Sequence, residues 1–260
     1  MKPDRIVIYP GFMSAEEPHY FKKTLGALLV YRDRAYQPRA GDFIIGWGNS
    51  HVPNWAWAAR DKHCPVLNHW TMIATAVNKR NALYAFDESG VSIPRFTTRM
   101  PQALAWRNAG HTVMARLELK GMRGAGIYVS YGSRSLPEAP LYTRFIPDCR
   151  EFRIHIFRGR MINAQEKLKK NGVKHDPYVR SEENGYVFAR KNIQVPYGVI
   201  PEARKAISAL GLDFGAADVL YSENKNQAYI LEVNTAPGIT DGGYGGEAYT
   251  QAFKEAIAAI

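Results

Sequence analysis

The strongest constraint on the fold lies near the C-terminal end of the chain, where an apolar stretch ends in two polar side chains and a turn. Residues 230–238 read Ile-Leu-Glu-Val-Asn-Thr-Ala-Pro-Gly. Side chains of an extended strand alternate between two faces, so Glu232 and Asn234 share one face while Leu231 and Val233 share the other. The segment is therefore predicted to be a strand that places a carboxylate beside an amide.

A second apolar stretch precedes this strand and supplies a third oxygen ligand. Residues 212–221 predict another strand, and the polar residues 222–227 between the two strands indicate a β-hairpin that can bring Asp218 opposite Glu232 or Asn234. Hard dications such as Mg²⁺ bind carboxylate, amide and phosphate oxygens. We therefore predict that these three side chains bind a metal that holds a nucleotide. The alternative is that Glu232 and Asn234 are merely the exposed face of an edge strand.

Length, charge and cysteine content limit the remaining possibilities. The chain has 260 residues, which is enough for one large domain or two small ones. No apolar signal segment follows Met1, no stretch approaches the roughly 18 apolar residues of a membrane span, and Cys64 and Cys149 are far apart. A cytoplasmic protein without a membrane partner is expected. The net charge of +10 favours anionic ligands, but Lys and Arg are scattered, so nucleic acid stays possible as a partner without being favoured.

The order of predicted elements indicates an α+β protein. A strand at residues 5–11, helical spacing at 14–30 with Ser14 as a candidate N-cap, and a strand at 42–48 predict a small α/β unit. A single helix is predicted for residues 71–89, and the chain becomes rich in strands from residue 141 onward. These strands predict an antiparallel sheet rather than a doubly wound one.

A glycine-rich loop joins two strands in the middle of the chain. Residues 121–126 read Gly-Met-Arg-Gly-Ala-Gly, between predicted strands at 112–116 and 127–129. Glycines let backbone N–H groups approach phosphate oxygens, so Gly121, Gly124 and Gly126 are candidate phosphate-binding positions. A flexible hairpin tip has the same composition, and that alternative stays open.

An Asp one hairpin before Glu-Val-Asn-Thr-x-Pro-Gly resembles the metal-binding end of the ATP-grasp superfamily, which includes D-alanine-D-alanine ligases and ribosomal-protein glutamate ligases. From about Asn78 onward the motifs follow the order of that family. The resemblance implies the ATP-grasp fold in three parts. These are a short N-terminal α/β domain at 1–75, a lid subdomain with the glycine-rich loop at 76–140, and a C-terminal subdomain with antiparallel sheet, helices and metal site at 141–260.

The resemblance also implies roles for individual residues. Lys79 and Arg116 would bind phosphates, with Arg116 standing where the family usually has a lysine. In residues 142–146, backbone N–H and C=O groups would read adenine, and Glu151 would accept hydrogen bonds from the ribose. The three linker residues concerned are Arg144, Phe145 and Ile146. Among the implied catalytic residues, Arg153 would face the substrate, Lys167 would lie near the transferring phosphate, and Arg180 would anchor a loop that closes on the acyl phosphate.

Several of these residues could instead have a purely structural role. Lys79 could be a solvated helix residue, Arg116 could pair with Glu118, and Glu151 with Arg153 could form a solvated charge ladder. A cluster of aromatic and polar residues could line an acceptor pocket, although core packing is the favoured explanation. Its members are Trp47, Asn49, His51, Trp55 and Trp57.

The implied activity is that of an ATP-dependent carboxylate-amine ligase that forms an amide through an acyl phosphate and releases ADP and phosphate. ATP with Mg²⁺ or Mn²⁺ would be the cofactors. The partners would be small-molecule or peptide carboxylates and amines, and a homodimer is left open. Two rivals are a kinase on the same scaffold without a second substrate, and a basic nucleic-acid-binding protein with a relict ATP site.

Overall fold

The N-terminal part of the chain is built on a parallel sheet. The computed structural model describes residues 3–11, 16–32, 34–121, 124–239 and 244–259; Ser14 lies outside them. Four strands pair in the order β2-β1-β3-β4. Their bounds are Arg5–Pro10 (β1), Leu28–Leu29 (β2), Asp42–Trp47 (β3) and Val66–Leu67 (β4), with helices at Glu16–Leu25 (α1) and Ala56–Asp61 (α2). Every residue of β3 is buried, as expected for a strand covered on both faces.

The helix predicted for residues 71–89 is in fact two helices. These are α3 (Trp70–Val77) and α4 (Lys79–Glu88), separated by Asn78. Asn78 has an extended backbone, and its side-chain oxygen accepts hydrogen bonds from the N–H groups of Arg80 and Asn81. An asparagine in this role caps a helix N-terminus. The single-helix prediction was wrong because this cap interrupts the helical spacing, and α4 consequently begins at Lys79.

A small antiparallel sheet carries the glycine-rich loop. Its strands pair in the order β5-β8-β6-β7. Their bounds are Phe96–Thr97 (β5), Val113–Arg116 (β6), Ile127–Ser130 (β7) and Leu141–Arg144 (β8), and helix α5 (Met100–Asn108) packs with them. The domain boundary predicted at residue 140 falls in front of β8, which is hydrogen-bonded to both β5 and β6. By its pairing, β8 belongs with the small sheet.

A large antiparallel sheet forms the C-terminal half of the structure. Five strands pair in the order β11-β10-β9-β12-β13. Their bounds are Cys149–Phe157 (β9), Arg160–Lys169 (β10), Tyr186–Ala189 (β11), Phe214–Ser222 (β12) and Gln227–Asn234 (β13), with helices at Val199–Ala209 (α6) and Tyr244–Ala258 (α7). The predicted hairpin between β12 and β13 is confirmed, as is the α+β fold class.

The two faces of the large sheet have different roles. One face packs on α4 and α6 in the main hydrophobic core, which contains Phe152 and Ile154 of β9. The opposite face is apolar near the N-terminal sheet, where Phe214 stacks on Trp47 with ring centroids 5.6 Å apart. Further from the N-terminal sheet, the same face carries the polar side chains Glu151, Arg153 and His155 of β9. The candidate functional residues therefore lie on this face. None of the helices in the described ranges is long and apolar enough to cross a membrane.

Candidate active site

The hairpin brings the three predicted metal ligands together. Asp218 is directly opposite Glu232, and Asn234 is opposite Ala216. The Asn234 amide Nδ2 lies 3.3 Å from Asp218 Oδ2. Although β13 is the edge strand of the sheet, only 28% of the Glu232 side chain is exposed. Glu232 is therefore not on a freely solvated face of an edge strand.

The donor set of this group fits a hard dication. Burial alone would raise the pKa of Asp218, but the Arg153 guanidinium and the Asn234 amide hold that pKa below its usual value. Asp218 is consequently a carboxylate at neutral pH, which is the form that binds metal. No three His, Cys, Asp or Glu side chains cluster as a metal site in the described part of the chain. The third oxygen of the candidate site is accordingly the amide oxygen of Asn234.

Arg153 and Asp218 form a bidentate ion pair across β9 and β12. The guanidinium Nε and Nη2 donate to the two carboxylate oxygens at 2.7 Å and 2.9 Å. Their side chains are only 19% and 7% exposed, so the charge ladder in which Arg153 was placed is not a solvated one. The ring of Phe188 on β11 lies beneath Arg153, 4.4 Å from ring centroid to Cζ. This pair fixes the guanidinium next to the metal ligands.

Lys79 reaches the metal hairpin from the start of α4. Its Nζ lies 3.1 Å from Glu232 Oε2, and its side chain is only 14% exposed. Its backbone N–H donates to the carbonyl of Leu119, which holds the start of the helix against the end of the small sheet. Lys79 is thus paired with Glu232 and is not a solvated helix residue.

Arg116 is a desolvated cation at the end of β6. Its Nε is buried and has no hydrogen-bond partner in the structure as described. Burial lowers its pKa, and the negative charge of Glu232 partly opposes that effect. The alternative pairing with Glu118 does not form. Arg116 as a whole is half-buried, and its buried Nε–H is free to donate to an acceptor such as an anion placed beside it.

The glycine-rich loop is shaped by positions that tolerate no side chain. Gly124 and Gly126 have φ values of +83° and +70°, in the left-handed region. A Cβ on Gly124 would lie 2.4 Å from Cγ1 of Val179, and a Cβ on Gly121 would lie 2.6 Å from the carbonyl oxygen of Ala125. The loop therefore sits directly against the segment that carries Arg180.

Glu151, Lys167 and Arg180 form one ion cluster on the same face. Lys167 Nζ contacts Glu151 Oε1, and Arg180 Nη1 lies 3.7 Å from Glu151 Oε2. Burial raises the pKa of Glu151 despite the opposing charge of Lys167. Lys167 and Arg180 also line a cavity of about 530 Å³ together with Phe145 and Tyr186. The residues predicted to contact ribose and the transferring phosphate thus contact each other at the edge of this cavity.

The linker after β8 corrects one detail of the predicted adenine site. The N–H of Arg144 donates to the carbonyl of Arg95, and the N–H of Phe145 donates to the carbonyl of Thr112, both at 2.9 Å. The Arg144 guanidinium contacts the ring of His111. Both N–H groups are therefore used by strand pairing.

Sequence reasoning missed the buried histidine of this face. His155 follows Glu151 and Arg153 with the same period of two, which is the signal that could have found it. Its Nδ1 lies 3.3 Å from the Tyr249 hydroxyl, and burial lowers its pKa to about 3. Core packing, by contrast, is the correct interpretation for Trp47 and Trp55, which lie in two hydrophobic clusters.

Comparison with known proteins identifies the fold. No protein-family model matches the sequence, and no curated protein is similar enough in sequence to count as a match. Among solved structures, the ATP-grasp ligase PsnB, in complex with a phosphomimetic variant of its minimal precursor, Mg and ADP, superposes with a TM-score of 0.69. That match has 11% identity and covers 100% of this chain and 99% of PsnB. This protein has the ATP-grasp fold.

Two further ATP-grasp structures agree with that assignment. D-alanine-D-alanine ligase from Bacillus anthracis has a TM-score of 0.67 and 13% identity, covering 96% of this chain and 92% of the ligase. The macrocyclase MdnC, bound with precursor peptide MdnA from Microcystis aeruginosa, has a TM-score of 0.63 and 13% identity, covering 98% and 100%. At such identities the ATP-grasp likeness establishes the fold alone.

Proposed function

We propose that this ATP-grasp protein is an ATP-dependent carboxylate-amine ligase that works through an acyl phosphate. The observation that carries the proposal is Arg116 at the end of β6, whose buried Nε–H has no hydrogen-bond partner among the described residues and whose charge interacts with that of Glu232. The triphosphate of ATP would supply the acceptor. The neighbouring protein PsnB has been solved with Mg and ADP, which supports the same nucleotide and metal for this chain.

The phosphates would lie between the small and large sheets. Lys79 and Arg116 would neutralise them, and the backbone of the glycine-rich loop would cover them. Asp218, Glu232 and Asn234 would hold Mg²⁺, or Mn²⁺ in its place. When bound, the metal would supply positive charge that offsets the negative charge of the phosphates.

The chemistry needs no nucleophile from the protein. An oxygen of the substrate carboxylate attacks the γ-phosphorus, the bond between that phosphorus and the bridging oxygen breaks, and ADP leaves. The amine nitrogen then attacks the acyl carbon, phosphate departs with its oxygen, and the amine loses a proton to form the amide. Arg153, Lys167 and Arg180 would stabilise the negative charge that develops on the oxygens in these two steps.

The acyl phosphate can be trapped chemically. Incubation with MgATP, hydroxylamine and pools of N-acetylated, C-amidated tripeptides that contain Asp or Glu should yield hydroxamate and ADP in equal amounts. A stable phosphorylated product without hydroxamate would instead favour a kinase. Glu232→Gln should abolish product formation and weaken MgATP binding in calorimetry. If the wild-type protein binds no MgATP, the proposed function is wrong.

A further inference from the structure

The small sheet and the segments around it carry most of the positive charge of the chain. Residues 93–146 contain eight Lys and Arg but only two Asp and Glu, which gives them a net charge of +6 out of the +10 of the whole chain. The rest of the chain has a net charge of only +4. Although the cations are scattered along the sequence, the fold therefore collects the uncompensated ones in one subdomain.

Four of these arginines lie around the C-terminal end of α5. The Arg144 guanidinium contacts the ring of His111, and the Arg144 N–H donates to the carbonyl of Arg95 at 2.9 Å. Arg107, in the last turn of α5, donates through Nη1 to the carbonyl of Arg134 at 3.0 Å. The N–H of His111 donates to a carbonyl of the same helical turn, which brings the two pairs to one end of the helix. We refer to Arg95, Arg107, Arg134 and Arg144 as the arginine cluster.

The arginine cluster has no carboxylate partner within the described part of the chain. None of its four guanidinium groups forms an ion pair with a described residue. Burial and the positive charge of Arg95 both lower the pKa of Arg144. The Nε of Arg107 is buried and has no hydrogen-bond partner among the residues described. Like charges in such proximity repel each other, and a polyanion bound across them would relieve that repulsion.

The arginine cluster is separate from the candidate active site. Tyr142 of β8 and Val113 of β6 pack with α5 in one hydrophobic cluster, so their side chains lie on the α5 face of the small sheet. Because side chains alternate along a strand, Arg144, two residues after Tyr142, lies on that face. Arg116, three residues after Val113, lies on the opposite face, where its charge interacts with that of Glu232. The anion for the cluster is therefore not a nucleotide bound at Arg116.

Aromatic rings accompany the arginine cluster. The Cζ atom of Arg134 lies 5.2 Å from the ring centroid of Tyr131 and 5.7 Å from that of Tyr128. Tyr131 is 39% exposed and stacks on Tyr178, with ring centroids 5.4 Å apart. Guanidinium planes and aromatic rings stack on unpaired bases, and the arginine fork binds phosphate through two hydrogen bonds. An acidic peptide would match the charge of the cluster but has no bases to stack on it.

We propose that the arginine cluster binds single-stranded nucleic acid, with phosphates on the guanidinium groups and a base stacked against Arg134. A positively charged surface that combines arginines with aromatic rings is how proteins bind single strands without reading their sequence. A duplex would offer phosphates too, but its bases are already stacked on one another. The inference is independent of the proposed function, because the cluster and Arg116 lie on opposite faces of the small sheet.

Fluorescence anisotropy with a labelled oligothymidylate at increasing KCl concentrations tests the inference. If four phosphates are neutralised, the logarithm of the association constant should fall against that of the KCl concentration with a slope of about −3. Arg95→Gln combined with Arg134→Gln removes two exposed members of the cluster. We expect this double variant to halve the slope to about −1.4 and to weaken binding by at least about tenfold. Arg204→Gln combined with Lys254→Gln removes the same charge from exposed positions on α6 and α7 and should leave the slope unchanged.

Arg134→Lys tests the stacking separately, because lysine keeps the positive charge and lacks the guanidinium plane. The slope should stay the same while the affinity for the oligonucleotide falls by about fivefold or more, the equivalent of one stacked base. An affinity equal to that of the wild-type protein would overturn the stacking of a base on Arg134. Because Arg95 and Arg134 are exposed, Tm, MgATP binding and hydroxamate formation should not change in any of these variants.

Four results would overturn the inference as a whole. The wild-type protein could fail to bind the oligonucleotide even at low salt. The control variant could lose as much affinity as the cluster variant, which would mean that binding follows net charge alone. Saturating MgADP could displace the oligonucleotide, which would place it at the nucleotide site. Octaglutamate or the corresponding duplex could bind as tightly as the single strand, which would mean that the cluster recognises charge and not unpaired bases.

Discussion

The ion pair between Arg153 and Asp218 permits a quantitative test of the electrostatics in the site. The pair is bidentate, and the two side chains are only 19% and 7% exposed. Removing one member of a buried pair leaves the other as an uncompensated charge, which costs about 3–5 kcal/mol. Arg153→Met keeps the apolar stem and removes the charge. We expect it to lower the free energy of unfolding of the metal-free protein by that amount.

Thermal unfolding in EDTA measures this loss. A chain of this size loses roughly 2 °C in Tm for each kcal/mol, so Arg153→Met should unfold about 6–10 °C earlier. The double variant Arg153→Met with Asp218→Asn buries no charge and should recover most of the loss, a coupling of about 2–3 kcal/mol. Arg160→Met is the control, because its pair with Glu255 is 59% and 45% exposed. Such a surface pair is worth at most about 1 kcal/mol.

The pH dependence of the pair has a definite sign. Because the pKa of Asp218 is below its usual value in the folded protein, the pair contributes fully above the unfolded pKa of about 3.9. That contribution is lost as pH falls through the lower folded pKa. The reasoning is refuted if Arg153→Met costs less than about 1 kcal/mol, or if the two single losses simply add in the double variant.

Three further substitutions test other parts of the structure. His155 is buried, and its pKa is lowered to about 3 in the folded protein. In the unfolded chain the same histidine binds a proton between pH 7 and pH 5, so the free energy of unfolding should fall by roughly 2 kcal/mol over that interval. His155→Gln should remove that slope in denaturant titrations, while His175→Gln, at a half-buried loop position, should keep it. Gly124→Ala should weaken MgATP binding by about tenfold in calorimetry, because the left-handed backbone and the nearby Val179 both oppose a Cβ. An unchanged MgATP affinity would contradict the proposed role of the loop. Asn78→Ala should lower the unfolding free energy by about 0.5–2 kcal/mol through loss of the α4 cap, and a loss below this range in thermal melts would argue against that cap.

Features of the candidate site that depend on local pattern were predictable from sequence. The period of two placed Glu232 and Asn234 on one face, and the polar turn before β13 predicted the hairpin that sets Asp218 opposite Glu232. Both inferences use residues fewer than about twenty positions apart. Strand geometry alone is enough to connect such residues.

Features that depend on distant pairing were not predictable. The contact between Arg153 and Asp218 joins strands 65 residues apart, and its register follows from packing of the whole sheet. The placement of β8 in the small sheet likewise depends on hydrogen bonds to β5 and β6. The same pairing uses the N–H of Phe145, which the sequence had assigned to adenine. Which polar atoms are buried without a partner, as Arg116 Nε is, emerges only from the assembled fold.

The close approach of Gly48 to Ala236 has a mechanical consequence. A Cβ on Gly48, just after β3, would lie 2.6 Å from the Cβ of Ala236, which follows β13. With the nearby stack of Trp47 on Phe214, this contact packs the N-terminal sheet closely against the large sheet. Any side chain at position 48 would therefore push the two sheets apart at the end of β13, where Asn234 lies.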